Sequence, residues 1–189
     1  MSETSSVVTA EHFRYIAERT VAEDEFLRSL KAAAREVIEV GTLAGYSAIA
    51  MARALPPGGR VRTIEILPRH ADFAESWVAR SDVAGCVEVH RGAGRDVLSK
   101  FGADSADAAF LDADKASYPI YLGESLRIVR SGGLIMVDNA FAFGQLFDPR
   151  PTDREVGAVR AFNDLMAQNQ SLHGIIVPIG DGLWVAVKR

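Results

Sequence analysis

The stretch VIEVGTLAGYSAIAMARALPPGGRVRTIEI, residues 37–66, decides the fold class. It contains two apolar runs rich in β-branched residues, VIEV and VRTIEI, and the helical pattern SAIAMARAL lies between them. Apolar strands that alternate with helices are typical of βαβ units, in which a crossover helix joins two parallel strands. This stretch therefore predicts the start of a parallel sheet.

The same alternation continues toward the C-terminus. The apolar runs VEVH, AAFLD and LIMVD are each followed by a segment with helical periodicity, and their lack of polar alternation predicts a sheet that is covered on both faces. The last two runs, GIIVPI and LWVAVK, are separated only by Gly-Asp-Gly, which predicts a tight turn between antiparallel strands. We therefore predict an α/β fold with a doubly wound, mostly parallel sheet and a C-terminal antiparallel hairpin.

Length and composition predict a single domain and exclude several classes of partner. The 189 residues suit one compact domain, predicted over residues 35–189, preceded by a helical flank or lid over residues 1–34. A formal net charge of -4 offers no basic field for nucleic acid, and no apolar run approaches the roughly 18 residues that a membrane span needs. The single cysteine, Cys86, and the lack of a signal peptide favour the cytoplasm.

The turn after the first predicted strand has the features of a ligand-binding turn. In open parallel sheets, ligands lie beyond the carboxyl ends of the strands. Gly41 and Gly45 allow the backbone to approach a ligand closely, although a simple packing turn has the same pattern. Glu65 ends the second strand, 20 residues after Gly45, where an acidic residue can accept hydrogen bonds from a ribose. Thr42 and Leu43 replace the second glycine of a dinucleotide fingerprint, which favours a nucleoside without phosphates over NAD.

Polar side chains also follow the fourth and fifth predicted strands, where the sequence has Asp112-Ala-Asp114-Lys115 and Asp138-Asn139. Taken singly, these aspartates could be helix caps or turn residues. Neighbouring strand ends meet at one edge of the sheet, however, and carboxylate and amide oxygens are the ligands that Mg²⁺ or Ca²⁺ prefers. Lys115, three residues after Asp112, could be a surface charge or a catalytic base.

With these residues in place, the sequence closely resembles the cation-dependent O-methyltransferases, the family of catechol and caffeoyl-CoA O-methyltransferases. The resemblance rests on the opening stretch and on RGAGRDVL, FLDADKASYPIYL, SGGLIMVDN and PIGDGLWVAVKR, which follow in the family's order. It covers about residues 35–189. It implies a Rossmann-like class I methyltransferase fold with seven strands, a homodimer, and S-adenosylmethionine as the methyl donor.

The resemblance also implies a role for individual residues. Asp112, Asp138 and Asn139 match the family's metal ligands, and Lys115 matches its catalytic lysine. Within the cofactor site, the glycine turn would hold the methionine part, Glu65 the ribose, and the Ala-Gly pair of RGAGRDVL the adenine. The implied cofactor-binding residues are Glu39, Gly41, Thr42, Gly45, Tyr46, Ser47, Glu65, Ala93, Gly94 and Asp112.

The implied reaction is methyl transfer from S-adenosylmethionine to a hydroxyl of a small aromatic, catechol-like vicinal diol, with Mg²⁺, Mn²⁺ or Ca²⁺ bound. Two alternatives stay open: a metal-independent methyltransferase for another nucleophile, and a non-catalytic cofactor-binding module. A nicotinamide dehydrogenase is disfavoured by the missing glycine pattern.

Two departures from the family affect the acceptor pocket. Residues 140–144 replace a tryptophan that relatives often carry, so Tyr118, Phe141 and Phe143 become the candidate walls. A helix and loop expected before the first strand are not found between Lys31 and Arg35. Either the enzyme is short here and its site more open, or a mobile covering segment is missing from the 189 residues.

Overall fold

The computed structural model describes residues 34–189. Within them, seven strands form one sheet in the order β3-β2-β1-β4-β5-β7-β6. The strands are β1 (Glu36–Val40), β2 (Arg60–Glu65), β3 (Val87–Arg91), β4 (Ala106–Leu111), β5 (Val129–Val137), β6 (Leu172–Val177) and β7 (Leu183–Lys188). Residues 1–33 of the predicted flank lie outside the described residues. Most of its junction with the first strand, between Lys31 and Arg35, lies outside them too.

Helices connect the parallel strands, as the alternating pattern predicts. They are α1 (Tyr46–Ala54), α2 (Pro68–Ala79), α3 (Gly94–Leu98), α4 (Tyr118–Ile128) and α5 (Val156–Gln168), with short 3₁₀ helices at Ala84–Cys86 and Lys115–Ser117. None of the helices within residues 34–189 is long and apolar enough to cross a membrane.

Both faces of the sheet are buried because successive residues of a strand point to opposite faces. On one face, Val37 of β1 packs with Ala48 and Ala52 of α1. On the other face, Ile38 belongs to a larger cluster with Tyr118 of α4 and Phe162 of α5. This double coverage is the reason that the strand sequences show little polar alternation.

The carboxyl ends of β1, β4 and β5 lie side by side. Val40 pairs with Leu111, and Leu111 pairs with Val137. The Asp112 N–H donates to the Val40 carbonyl at 2.9 Å, and the Asp138 N–H donates to the Leu111 carbonyl at 3.1 Å. These hydrogen bonds continue the ladders past the strand ends and bring the polar residues after β4 and β5 to one edge of the sheet.

The C-terminal hairpin of β6 and β7 extends the sheet on the far side of β5. β7 runs antiparallel to both β5 and β6, and Trp184 pairs with Val137 on one side and with Ile176 on the other. The Trp184 indole N–H donates to Asn163 of α5, whose amide donates to the Ala140 carbonyl at 2.8 Å. The turn between β6 and β7 therefore lies beside the loop that follows β5.

Candidate active site

A cavity of about 570 Å³ lies beyond the carboxyl ends of β1, β2 and β4. This is where an open parallel sheet binds ligands, and the volume suits a small-molecule cofactor. Seven residues of the predicted cofactor set line it, namely Gly41, Thr42, Tyr46, Ser47, Glu65, Gly94 and Asp112. The remaining lining residues are Val40, Leu43, Ala44, Ile64, Ile66, Gly92, Ala113, Asp114 and Tyr121. Three predicted cofactor residues, Glu39, Gly45 and Ala93, do not line the cavity.

Gly41 is required where β1 meets the end of β4. Its φ of +106° is in the left-handed region, and a Cβ at this position would lie 2.1 Å from the Asp112 carbonyl oxygen. No side chain fits that space, so the backbone itself forms the cavity wall here. Gly45 acts differently, since it takes a φ of +79° just before α1 and thereby allows the helix to start.

Glu65 presents a buried carboxylate to the cavity. One of its oxygens accepts the Leu43 N–H at 2.9 Å, and the other accepts the Leu67 N–H at 2.9 Å. A carboxylate has about four acceptor positions, so each oxygen can still accept a hydroxyl. The side chain is thus held by the backbone in a position where it can bind a diol.

Glu39 lies beneath the cavity and is fully buried. The Thr63 hydroxyl donates to its Oε2, and the Thr63 and Thr42 hydroxyls are 2.5 Å apart, which connects the carboxyl to the cavity wall. Its second oxygen, Oε1, is buried without a hydrogen bond of standard geometry, although the Ser47 side chain is close enough to lower the pKa of the carboxyl. Burial raises the pKa of Glu39 to about 7. An unsatisfied buried carboxyl oxygen is costly, so a cationic ligand group beside it would be strongly favoured.

The far end of the cavity is shaped by Gly94 at the start of α3. A Cβ on Gly94 would lie 2.7 Å from the Tyr121 ring. The Tyr121 hydroxyl donates to Asp114 at 2.7 Å, and both of these side chains line the cavity, although neither belongs to the predicted cofactor residues. Ala93 is the residue before α3 and does not line the cavity. Asp114 has a second role, because its side chain accepts the Ser117 N–H and so caps the 3₁₀ helix.

Asp112 connects the cavity to the predicted reacting groups. Its side chain is 42% exposed and its Oδ1 lies 3.2 Å from the Lys115 Nζ, whereas the lysine side chain is only 5% exposed. The Lys115 ammonium also donates to the Tyr118 hydroxyl at 2.6 Å, and that hydroxyl donates to the Leu111 carbonyl. Lys115 is therefore a buried, fixed amine at the edge of the cavity.

The residues after β5 complete this group. Asp138 is half-buried, and burial raises the pKa of its carboxyl, with further increases from the charges of Asp112 and Asp181, while Lys115 opposes them. Asn139 has a φ of +67° and donates its amide Nδ2 to Asp181 Oδ2 at 3.2 Å. The structure thus brings the predicted metal ligands and Lys115 to neighbouring strand ends.

Residues 34–189 contain no cluster of three or more His, Cys, Asp or Glu side chains arranged to hold a metal ion. A cation at this edge would therefore depend on two carboxylates and one amide oxygen. That mixed set of hard oxygen ligands suits Mg²⁺, which usually keeps several water molecules.

The candidate acceptor walls differ from the sequence expectation. Tyr118 is 1% exposed and packs edge-on against Phe162, so it is a core residue that holds Lys115. The Phe141 ring packs against Gly182. Phe143 is 39% exposed and is the only one of the three candidates that presents a large surface.

Comparison with known proteins identifies the family. The sequence model of the O-methyltransferase family matches residues 3–189. The chain belongs to the O-methyltransferase family. This O-methyltransferase is 38% identical over 164 residues to a catechol O-methyltransferase from Niastella koreensis, an alignment that covers 82% of this chain and 74% of the relative.

Solved structures of O-methyltransferases share the fold. TomG from Streptomyces achromogenes, involved in tomaymycin synthesis and solved with S-adenosylmethionine, is 30% identical, with a TM-score of 0.77 over 94% of this chain and 96% of that one. A Bacillus cereus O-methyltransferase solved with S-adenosylhomocysteine is 33% identical, with a TM-score of 0.75 over 95% and 90%. The predicted enzyme class and Rossmann-like fold are confirmed, and the dehydrogenase alternative is wrong.

Proposed function

We propose that this O-methyltransferase transfers a methyl group from S-adenosylmethionine to one hydroxyl of a small aromatic vicinal diol, with a divalent cation bound at the sheet edge. The observation that carries the proposal is the position of Asp112. It lines the cavity and also pairs with Lys115. The cofactor cavity and the reacting groups therefore meet at one residue.

The cavity fits S-adenosylmethionine in charge as well as in size. Glu65, which lines the cavity, would bind the ribose hydroxyls, and the buried charge of Glu39 beneath the cavity would attract the ammonium of the methionine part. The first turn of α1 would receive the carboxylate. The two solved relatives with S-adenosylmethionine or S-adenosylhomocysteine bound support S-adenosylmethionine as the ligand.

The edge of the sheet fits a hard cation, with Mg²⁺ as the first candidate and Mn²⁺ or Ca²⁺ as others. Asp112, Asp138 and Asn139 would supply the ligands. The like charges of Asp112 and Asp181 act on the Asp138 carboxyl, whose pKa is raised mainly by burial. A cation bound there would lower the pKa of an acceptor hydroxyl.

The protein's own residues then have two tasks. The first is alignment, since methyl transfer needs the acceptor oxygen in line with the sulfur–methyl bond, and the rigid strand ends fix the geometry. The second is removal of the proton. Lys115, after release of its own proton, would accept the hydroxyl proton while the acceptor oxygen bonds to the methyl carbon and the sulfur–carbon bond breaks. Tyr118 holds the amine in place.

Two arguments favour a vicinal diol over a single hydroxyl: the coordination of a divalent cation and the name of one relative. Two adjacent oxygens can share one cation, whereas a single hydroxyl leaves a position to water. The Niastella koreensis catechol O-methyltransferase supports this choice. The homodimer, the cytoplasmic location and the absence of a nucleic-acid partner remain predictions.

A metal-independent methyltransferase is the second candidate, favoured by the Lys115–Asp112 pair, which already neutralises one carboxylate without a cation. Removal of divalent cations with EDTA separates the two candidates, and an acceptor screen tests the vicinal diol. Catechol, resorcinol and hydroquinone carry the same two hydroxyls in ortho, meta and para positions and serve as matched substrates. With labelled S-adenosylmethionine and Mg²⁺, we expect methylation of catechol alone. Equal methylation of the three isomers, or of none, would contradict the vicinal-diol proposal.

A further inference from the structure

The turn between β6 and β7 contributes a carboxylate to the loop that follows β5. Asp181 accepts three N–H groups from that loop: the Asn139 side-chain amide at 3.2 Å, the Phe143 backbone at 2.7 Å and the Gly144 backbone at 3.0 Å. The Asp181 carbonyl also accepts the Phe141 N–H at 2.8 Å. One turn residue therefore binds the loop at four points.

The loop needs such support because its backbone is strained. Asn139, Ala142 and Phe143 have φ values of +67°, +54° and +58°, which side-chain-bearing residues rarely adopt. Such conformations persist when the surrounding structure holds them. The turn is also pressed tightly against the loop, since a Cβ on Gly182 would lie 2.9 Å from the Phe141 ring.

The hydrogen bond to Asn139 has a chemical consequence for the proposed cation site. A side-chain amide has a donor end and an acceptor end, and only the oxygen can bind a cation. Asp181 accepts from Nδ2, so the nitrogen is committed to the hairpin and the oxygen is the free end. A reversed amide would place an N–H donor at the cation and its oxygen against a carboxylate.

We propose that Asp181 is a positioning residue for the cation site. It fixes the Asn139 amide with its oxygen as the third ligand, and it holds the strained loop that carries this ligand. Outer partners of this kind typically change metal affinity 10–100-fold. The inference rests on the proposed function, because it needs a cation at Asp112, Asp138 and Asn139.

The test measures Mn²⁺ affinity from the electron paramagnetic resonance signal of free Mn²⁺, without substrate turnover. We expect Asp181→Ala to weaken Mn²⁺ binding about 10–100-fold. Asp181→Asn, which keeps one of the two acceptor oxygens, should recover part of the loss. The matched control is Asp148→Ala. This change removes a carboxylate in the same loop that accepts the Arg150 backbone N–H and does not contact Asn139.

A double-mutant cycle separates positioning from general destabilisation. In an Asn139→Ala background, Asp181→Ala should change Mn²⁺ affinity less than about threefold, because the amide through which it acts is gone. S-adenosylhomocysteine affinity should stay at the wild-type value in all variants. An Asp181→Ala protein that binds Mn²⁺ like the wild type, or loses the same affinity in both backgrounds, would overturn this inference alone. A wild type without Mn²⁺ binding would overturn the proposed function itself.

Discussion

Replacing Glu39 with glutamine should stabilise the cofactor-free protein, and the gain should grow with pH. Burial raises the pKa of this carboxyl from 4.5 to about 7. Between these two values, the folded protein retains a proton that the unfolded chain has released, so folding stability falls as the pH rises through this window. Above pH 7 the loss is complete. The difference between the two pKa values corresponds to a loss of about 3 kcal/mol in the free energy of unfolding.

Urea unfolding of the wild type and Glu39→Gln measures this difference directly. Glutamine has the same shape and no charge to bury. We expect the variant to be more stable by less than about 1 kcal/mol at pH 5 and by about 3 kcal/mol at pH 8.5. Asp164→Asn is the control, because it removes the same charge from an exposed side chain of α5. Its stability should follow the pH dependence of the wild type.

Parallel pH profiles for the wild type and Glu39→Gln would refute the argument that burial of this carboxyl costs stability. The same variant also tests the cofactor assignment. S-adenosylhomocysteine carries the same ammonium as the methyl donor, so its calorimetric affinity should fall at least about tenfold when the buried negative charge is removed. A more stable variant with unchanged affinity would show that Glu39 does not contribute to binding of the ammonium.

Three further substitutions test the other assignments. Lys115→Met should lower kcat about 10²–10⁴-fold with little change in KM, because a base acts mainly in the transition state, and an unchanged kcat would remove Lys115 from the mechanism. Asp138→Ala should abolish cation-dependent turnover while calorimetric S-adenosylhomocysteine binding persists, and wild-type rates would disprove its role as a ligand. Glu65→Ala should weaken S-adenosylhomocysteine binding, because the ribose hydroxyls lose their acceptor, and should leave Mn²⁺ affinity constant, because Glu65 is not a proposed cation ligand. The same S-adenosylhomocysteine affinity in variant and wild type would contradict the assignment of Glu65.

The sequence predicts the position of the site because strand ends are local features. A parallel sheet aligns the carboxyl ends of its strands, so the residue that follows each apolar run is known once the runs are recognised. Gly41, Glu65, Asp112 and Asp138 follow or end such runs and lie at the carboxyl ends of four successive strands of the sheet. Gly41 also has a local signal, since a glycine directly after a strand indicates a close backbone approach.

The residues that sequence analysis missed depend on distant contacts. Asp181 lies 42 positions from Asn139, and Gly-Asp-Gly is fully explained as a hairpin turn. Thr63 is a typical β-branched strand residue, and its bond to Glu39 depends on how β1 and β2 are aligned. Tyr118 shows the opposite error, because an aromatic near the site suggested a pocket wall whereas packing places it in the core.

The most direct test of the central claim is methyl transfer to catechol after removal of divalent cations. The purified protein is treated with EDTA, exchanged into metal-free buffer and assayed with labelled S-adenosylmethionine before and after Mg²⁺ is added. Cations held by two carboxylates and one amide should be removed by the chelator, so we predict that activity is lost and returns with Mg²⁺. Full activity in EDTA would contradict the account and favour the metal-independent methyltransferase.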